Sequence, residues 1–115
     1  MKVSGWNFLE HMIEDCEDIL VIVKDTVDYD AFVTQRNKHK AVLYSLLNLG
    51  ELMKTFSEQE RLMQPDIPWK RIIGFRDRAA HGYHTLNLNI VWEIATLHIM
   101  PLLELLKLQK SAFSK

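Results

Sequence analysis

Apolar residues recur at three- and four-residue steps from Trp6 through Leu9, Met12, Ile13, Cys16, Ile19, Leu20 and Val23 to Val27. That spacing draws one apolar stripe along a helix and commits the chain to burying it against other helices. The opposite face carries Glu10, Glu14, Asp15, Glu17 and Asp18 and is the solvated side. After a turn around Asp28 to Asp30, a second helical region is predicted from Phe32 to about Phe56. Its main stripe is Val42, Leu46, Leu49, Met53 and Phe56, and Leu43, Leu47 and Gly50 add a second edge. "SEQE" at Ser57 to Glu60 has the form of a capping box and predicts a short helix that Pro65 stops. Pro68 suits the first turn of the next helix, in which Ile72, Phe75 and Ala79 form the core stripe and Gly82 supplies an end. The last helix, from about Asn87 to Lys110, is apolar nearly all round, with a kink expected at Pro101.

No alternating strand pattern, internal repeat or linker interrupts this series. The expected architecture is one all-α domain over residues 1–115, a small antiparallel bundle of four main helices plus a short one. A chain of 115 residues is long enough for a core without staples. The second and last helices offer more apolar surface than four helices can cover, which predicts a homodimer.

The formal net charge of -1 argues against a protein that coats nucleic acid indiscriminately. The charge is segregated, however: residues 1–30 hold eight Asp and Glu against Lys2 and Lys24, so the rest of the chain is basic on balance. The single cysteine, Cys16, excludes an internal disulfide and sits on an apolar stripe, which suits a reducing compartment. The N-terminus lacks the apolar core of a signal peptide, and no apolar run approaches a membrane span in length. These features predict a cytoplasmic protein that does not engage a membrane.

One stretch breaks the bland pattern. "GFRDRAAHGYH", residues 74–84, sets two arginines, an aspartate, two histidines and a tyrosine into the C-terminal half of the helix that begins at Pro68. At helical pitch Arg76, Ala80 and Tyr83 share one face, while Asp77 and His81 share the next. The set suits a phosphodiester. Arg76 can grip phosphate oxygens and stay charged, His81 can move a proton near neutral pH, and Asp77 could orient it. The same residues also fit a solvated helix face, and spacing alone does not separate the two readings. His11, His39, His84 and His98 lie scattered, without a second ligand at metal-binding spacing.

Arg76, four residues, His81, one residue, Tyr83 resembles the R-x4-H-x-Y motif of HepT-like toxins in the HEPN superfamily of ribonucleases. "LLNLGELMKTFSEQE" looks like the family's Gly-Glu helix, here Gly50 and Glu51, and "PDIPWKRIIGFRDRAAHGY" is similar to its entry into the motif helix. "LNIVWEIATLHIMPLLELL" resembles its final helix, including the proline, and the likeness covers about residues 5–108. Two departures stand out: Asp77 occupies a position that is often Asn, and Ala79 and Ala80 replace larger apolar residues. The resemblance implies a metal-independent endoribonuclease toxin of a type VII-like toxin–antitoxin pair. It would need no cofactor, act on RNA as a homodimer, and be neutralised by a cognate minimal nucleotidyltransferase antitoxin. It also implies that Arg76 and His81 are catalytic and that Tyr83 receives AMP from the antitoxin; the supporting role of Asp77 comes from the chemical reading alone. The alternative is a non-catalytic helical subunit that binds nucleotide or presents substrate within a nucleotidyltransferase complex. A purely structural interaction module is a third possibility, favoured if changing Arg76 and His81 alters only stability.

Overall fold

A computed structural model describes residues 2–82 and 86–113, with side chains for 8–82 and 86–112. Helix α1 (Lys2–Lys24) is the central piece, packed against α3 (Arg36–Met53) on one side and α7 (Ile99–Phe113) on the other. Its stripe performs as expected: Leu9, Met12, Ile13, Cys16 and Ile19 are buried, and Leu20 and Val23 pack partly against the same core. Val27, the last member of the periodic series, is instead 91% exposed. The helix has already ended at Lys24, and Thr26 takes the buried place, its hydroxyl donating to the Ile22 carbonyl at 2.6 Å. Lys38 near the start of α3 meets Asp25 just beyond the end of α1, and Phe8 meets Phe56 at the other end, so α1 and α3 run antiparallel. Lys110 of α7 pairs with Glu10 at 2.6 Å, which sets α7 antiparallel to α1 as well.

The second helical region is two helices, not one. Asp28 caps α2 (Tyr29–Thr34) by accepting from the Ala31 N–H at 2.9 Å, so the helix starts ahead of Phe32. It stops at Gln35, whose backbone leaves the helical region at φ -94 and ψ 90, and α3 starts afresh at Arg36. The break lets Phe32 turn into the core, where its ring lies 4.8 Å from that of Trp92. The bundle therefore has two short helices where the sequence suggested one. The other, α4 (Glu58–Leu62), has the capping box in full: Ser57 Oγ accepts from the Glu60 N–H at 3.1 Å, and the Ser57 N–H donates to Glu60 Oε1 at 2.7 Å. Trp69 then anchors the loop that follows, its indole N–H donating to the Gln64 carbonyl at 2.9 Å and lying 3.1 Å from that of Arg61.

The last helix runs through α6 (Leu88–Glu93), a π-helical turn (Ile94–His98) and α7. Proline has no N–H for the carbonyl four residues back and its ring crowds that carbonyl. A widened π turn, Ile94–His98, interrupts the helix upstream of Pro101. The joined helix, Leu88–Ala112, is long and apolar enough to cross a membrane by length and composition, against the sequence expectation that no run approaches that length. Its Val91, Ile94, Ile99, Leu102 and Leu106 edge is nevertheless buried in the bundle core. Leu97, Met100 and Leu108 on the same helix stay more than half exposed.

Candidate active site

Helix α5 (Trp69–His81) presents Ile72, Phe75 and Ala79 to the core as predicted, and Gly82 ends it with an N–H bonded to the Arg78 carbonyl at 2.9 Å. Where α5 crosses α3, the contact residue is Gly50. A Cβ there would stand 2.6 Å from Arg76 Cβ, 3.0 Å from Arg76 Cγ and 3.2 Å from the Ile72 carbonyl oxygen. No glycine among the described residues has positive φ, so it is the closeness of the helices that demands glycine here. The stem of Arg76 lies across that missing side chain.

This crossing fixes the arginine. Glu51, next to Gly50, meets Arg76 Nη2 with Oε1 at 3.0 Å, and Asp77 Oδ1 lies 3.3 Å from Arg76 Nη1. Lys54, one turn further along at the end of α3, reaches the same Asp77 oxygen with Nζ at 3.1 Å. The result is a quartet of alternating charge, Glu51, Arg76, Asp77 and Lys54, with the guanidinium half-buried at its centre. The hydrogen bond from Lys54, aided by that from Arg76, holds the Asp77 carboxyl below the usual carboxylate range. Asp77 is therefore an anion at neutral pH and no carrier of protons.

His81 stands apart. It is the exposed last residue of α5, and its side chain makes no hydrogen bond or ion pair with the described residues. Five residues turn a helix through about 140° relative to the starting face, so Arg76 and His81 of one chain point in diverging directions. The sequence suggested that Asp77 could orient His81; its Oδ1 instead serves Lys54 and Arg76. Tyr83 and His84 lie outside the described residues. Glu51 and Lys54 were not anticipated as site residues. The available signal was a glycine inside an apolar helix edge followed by two oppositely charged residues one turn apart.

On the other side of Glu51, between α1 and α3, lies a cleft of about 350 Å³ lined by His11, Glu14, Asp15, Asp18 and Asn48. Burial, with help from Asp18, pushes the Asp15 carboxyl up to about 6. Its negative charge makes the cleft unfavourable to an anion such as phosphate. Of the scattered histidines, His11 pairs with Glu14 at 3.5 Å and His39 packs edge-on against Phe32 at 6.1 Å. No three metal-ligating side chains converge among the described residues.

Residues 9–108 match the family model described as Ribonuclease HepT-like. The chain is 34% identical over 86 residues to a candidate RNase of Caldanaerobacter subterraneus subsp. tengcongensis, covering 75% of this chain and 76% of that protein. It is 33% identical over 87 residues to a candidate RNase of Methanocaldococcus jannaschii, covering 76% and 71%. A candidate ribonuclease HepT of Thermococcus cleftensis is 26% identical over 93 residues, covering 81% and 84%. No solved structure matches the chain significantly.

Proposed function

Because this chain belongs to the HepT-like ribonuclease family, we propose that it is a metal-independent endoribonuclease toxin that acts on RNA as a homodimer through Arg76 and His81. The observation that carries this reading is Arg76 itself, clamped over Gly50 with its guanidinium aligned by Glu51 and Asp77. Cleavage without a metal needs a base for the ribose 2'-OH, positive charge for the phosphorane, and an acid for the leaving 5'-oxygen. The 2'-oxygen forms its bond to phosphorus as the bond to the 5'-oxygen breaks, giving a 2',3'-cyclic phosphate and a 5'-hydroxyl. Arg76 supplies the charge and Asp77 supports it. His81 supplies the proton chemistry, and its divergence from Arg76 within one chain is resolved if two protomers meet along α5, each offering one histidine. The exposed Leu97, Met100 and Leu108 are surface that such an assembly could cover.

A cognate minimal nucleotidyltransferase antitoxin would silence the enzyme by adding AMP to Tyr83, seven residues after Arg76 in the sequence. An added phosphate there competes with RNA for Arg76. The test is cleavage of RNA in EDTA by the isolated protein. Wild type yields 2',3'-cyclic ends, whereas Arg76→Ala and His81→Ala are inactive, His81→Ala melting like wild type and Arg76→Ala melting lower but still folded at the assay temperature. Full cleavage by either variant removes that residue from the mechanism, and a monomer by light scattering with full activity removes the dimer. Mass spectrometry after incubation with the antitoxin, ATP and magnesium places the AMP on Tyr83 or elsewhere.

A further inference from the structure

Arg76 and Lys54 belong to different helices, yet both stand on one oxygen of Asp77, at 3.3 Å and 3.1 Å. Two cations sharing one acceptor lie within two hydrogen-bond lengths of each other. Glu51 meanwhile engages the other end of the guanidinium, Nη2, and keeps it in plane. Lys54 is held there by the same crossing that fixes Arg76. It follows Met53, the last residue of α3, its backbone N–H bonds to the Gly50 carbonyl at 3.2 Å, and Gly50 is the residue against which Arg76 packs.

We propose that Lys54 and Arg76 form a two-point phosphate clamp for RNA, in which Asp77 occupies the phosphate's position until substrate displaces it and Glu51 keeps the arginine in register. The proposal rests on the RNase reading of Arg76 and adds a binding residue to it. A phosphodiester presents two non-bridging oxygens, so it can accept from Arg76 Nη1 and Lys54 Nζ together where Asp77 offers both the same oxygen. The phosphate takes over both donors and leaves neither cation unpaired, while the displaced Asp77 carboxylate, half-exposed, turns to solvent. The division between the two carboxylates follows from their contacts: Glu51 touches only the arginine and need not move, whereas Asp77 blocks both donors. It also gives the aspartate at position 77 a role, because an amide there would hold the two cations without competing for them as a charge.

The test is equilibrium binding, followed by anisotropy across a potassium chloride series, using a short labelled single-stranded RNA with 2'-O-methyl groups that cannot be cleaved. Lys54→Ala should weaken binding about tenfold at low salt, the worth of one charge-assisted hydrogen bond. It should also flatten the dependence of log affinity on log salt by about 0.7, the share of one phosphate contact on a single strand. Lys54→Arg should restore most of both, and Asp77→Asn should bind RNA more tightly than wild type. Wild-type affinity and slope in Lys54→Ala, alongside weakened binding by Arg76→Ala, would overturn the clamp and leave the RNase reading intact. Weaker binding by Asp77→Asn would show that Asp77 builds the site and does not reserve it. If Arg76→Ala both binds and cleaves normally, the RNase site is misplaced and the clamp falls with it.

Discussion

Replacing Gly50 with alanine tests the crossing on which the site is built. In an exposed helix interior the change would stabilise the chain by up to about 1 kcal/mol through propensity alone. Here the new methyl would arrive 2.6 Å from Arg76 Cβ and 3.2 Å from the Ile72 carbonyl oxygen. Neither neighbour is the free end of a flexible side chain, so relief requires α5 to move away from α3. Overpacking of this kind costs about 1–3 kcal/mol, and the propensity gain offsets part of it. The expected net is a loss of about 1–2 kcal/mol, read as a melting temperature lower by roughly 5 °C for a domain of this size. Activity should fall further than stability. A shift of α5 by about 1 Å carries Arg76 out of line with Glu51, and misplacement on that scale costs on the order of 100-fold in rate. The assay is calorimetry beside RNA cleavage well below the melting temperature. A Gly50→Ala protein that melts higher than wild type and cleaves RNA normally would refute the reasoning, because it would mean that the helices have room to spare.

Asp15 is a carboxyl whose folded pKa is raised from 3.8 to about 6, so the fold takes up a proton between those values and loses stability as pH rises through that window. Asp15→Asn should therefore stabilise the protein at neutral pH by about 1 kcal/mol, after discounting for the solvent that reaches this half-buried group, and the gain should vanish in melts at pH 4. Cys16 is fully buried and its thiol is pushed up to about 12, chiefly by burial. A thiol reagent should label it only as fast as the protein opens, and rapid labelling of the native state would contradict the packing of α1. Ser57→Ala should cost about 1 kcal/mol in the melt by removing half of the capping box.

Elements that announce themselves by local periodicity were legible in the sequence: the α1 stripe, the Ser57 box, the Ile72, Phe75 and Ala79 edge and the end of α5 at Gly82. Each is decided within a turn or two of chain. The failures required knowledge of what a residue meets in space. The break at Gln35 makes sense only once Phe32 is seen against Trp92. Val27 continues a pattern in sequence that the helix itself has abandoned. The π turn at Ile94–His98 sits in a stretch whose sequence carries no local signal for it. The site divides the same way. Arg76, Asp77 and His81 were singled out by their density on one helix. Lys54 is 23 residues from Asp77 along the chain, and no spacing rule connects them.

The quartet at the helix crossing cancels its own charge, two cations against two anions, and the chain as a whole carries only -1. Beyond a Debye length such a surface exerts almost no pull on a polyanion. The quartet itself would thus do little to steer RNA to the enzyme, and its share of the encounter rate would change little with ionic strength. On the clamp proposed above, the attraction would come into being only on contact, when the phosphate takes over the aspartate's partners. Through the quartet, salt should therefore shorten the lifetime of the complex more than it slows its formation. A site of this kind is quiet toward nucleic acid at a distance and becomes adhesive only at the bond it holds.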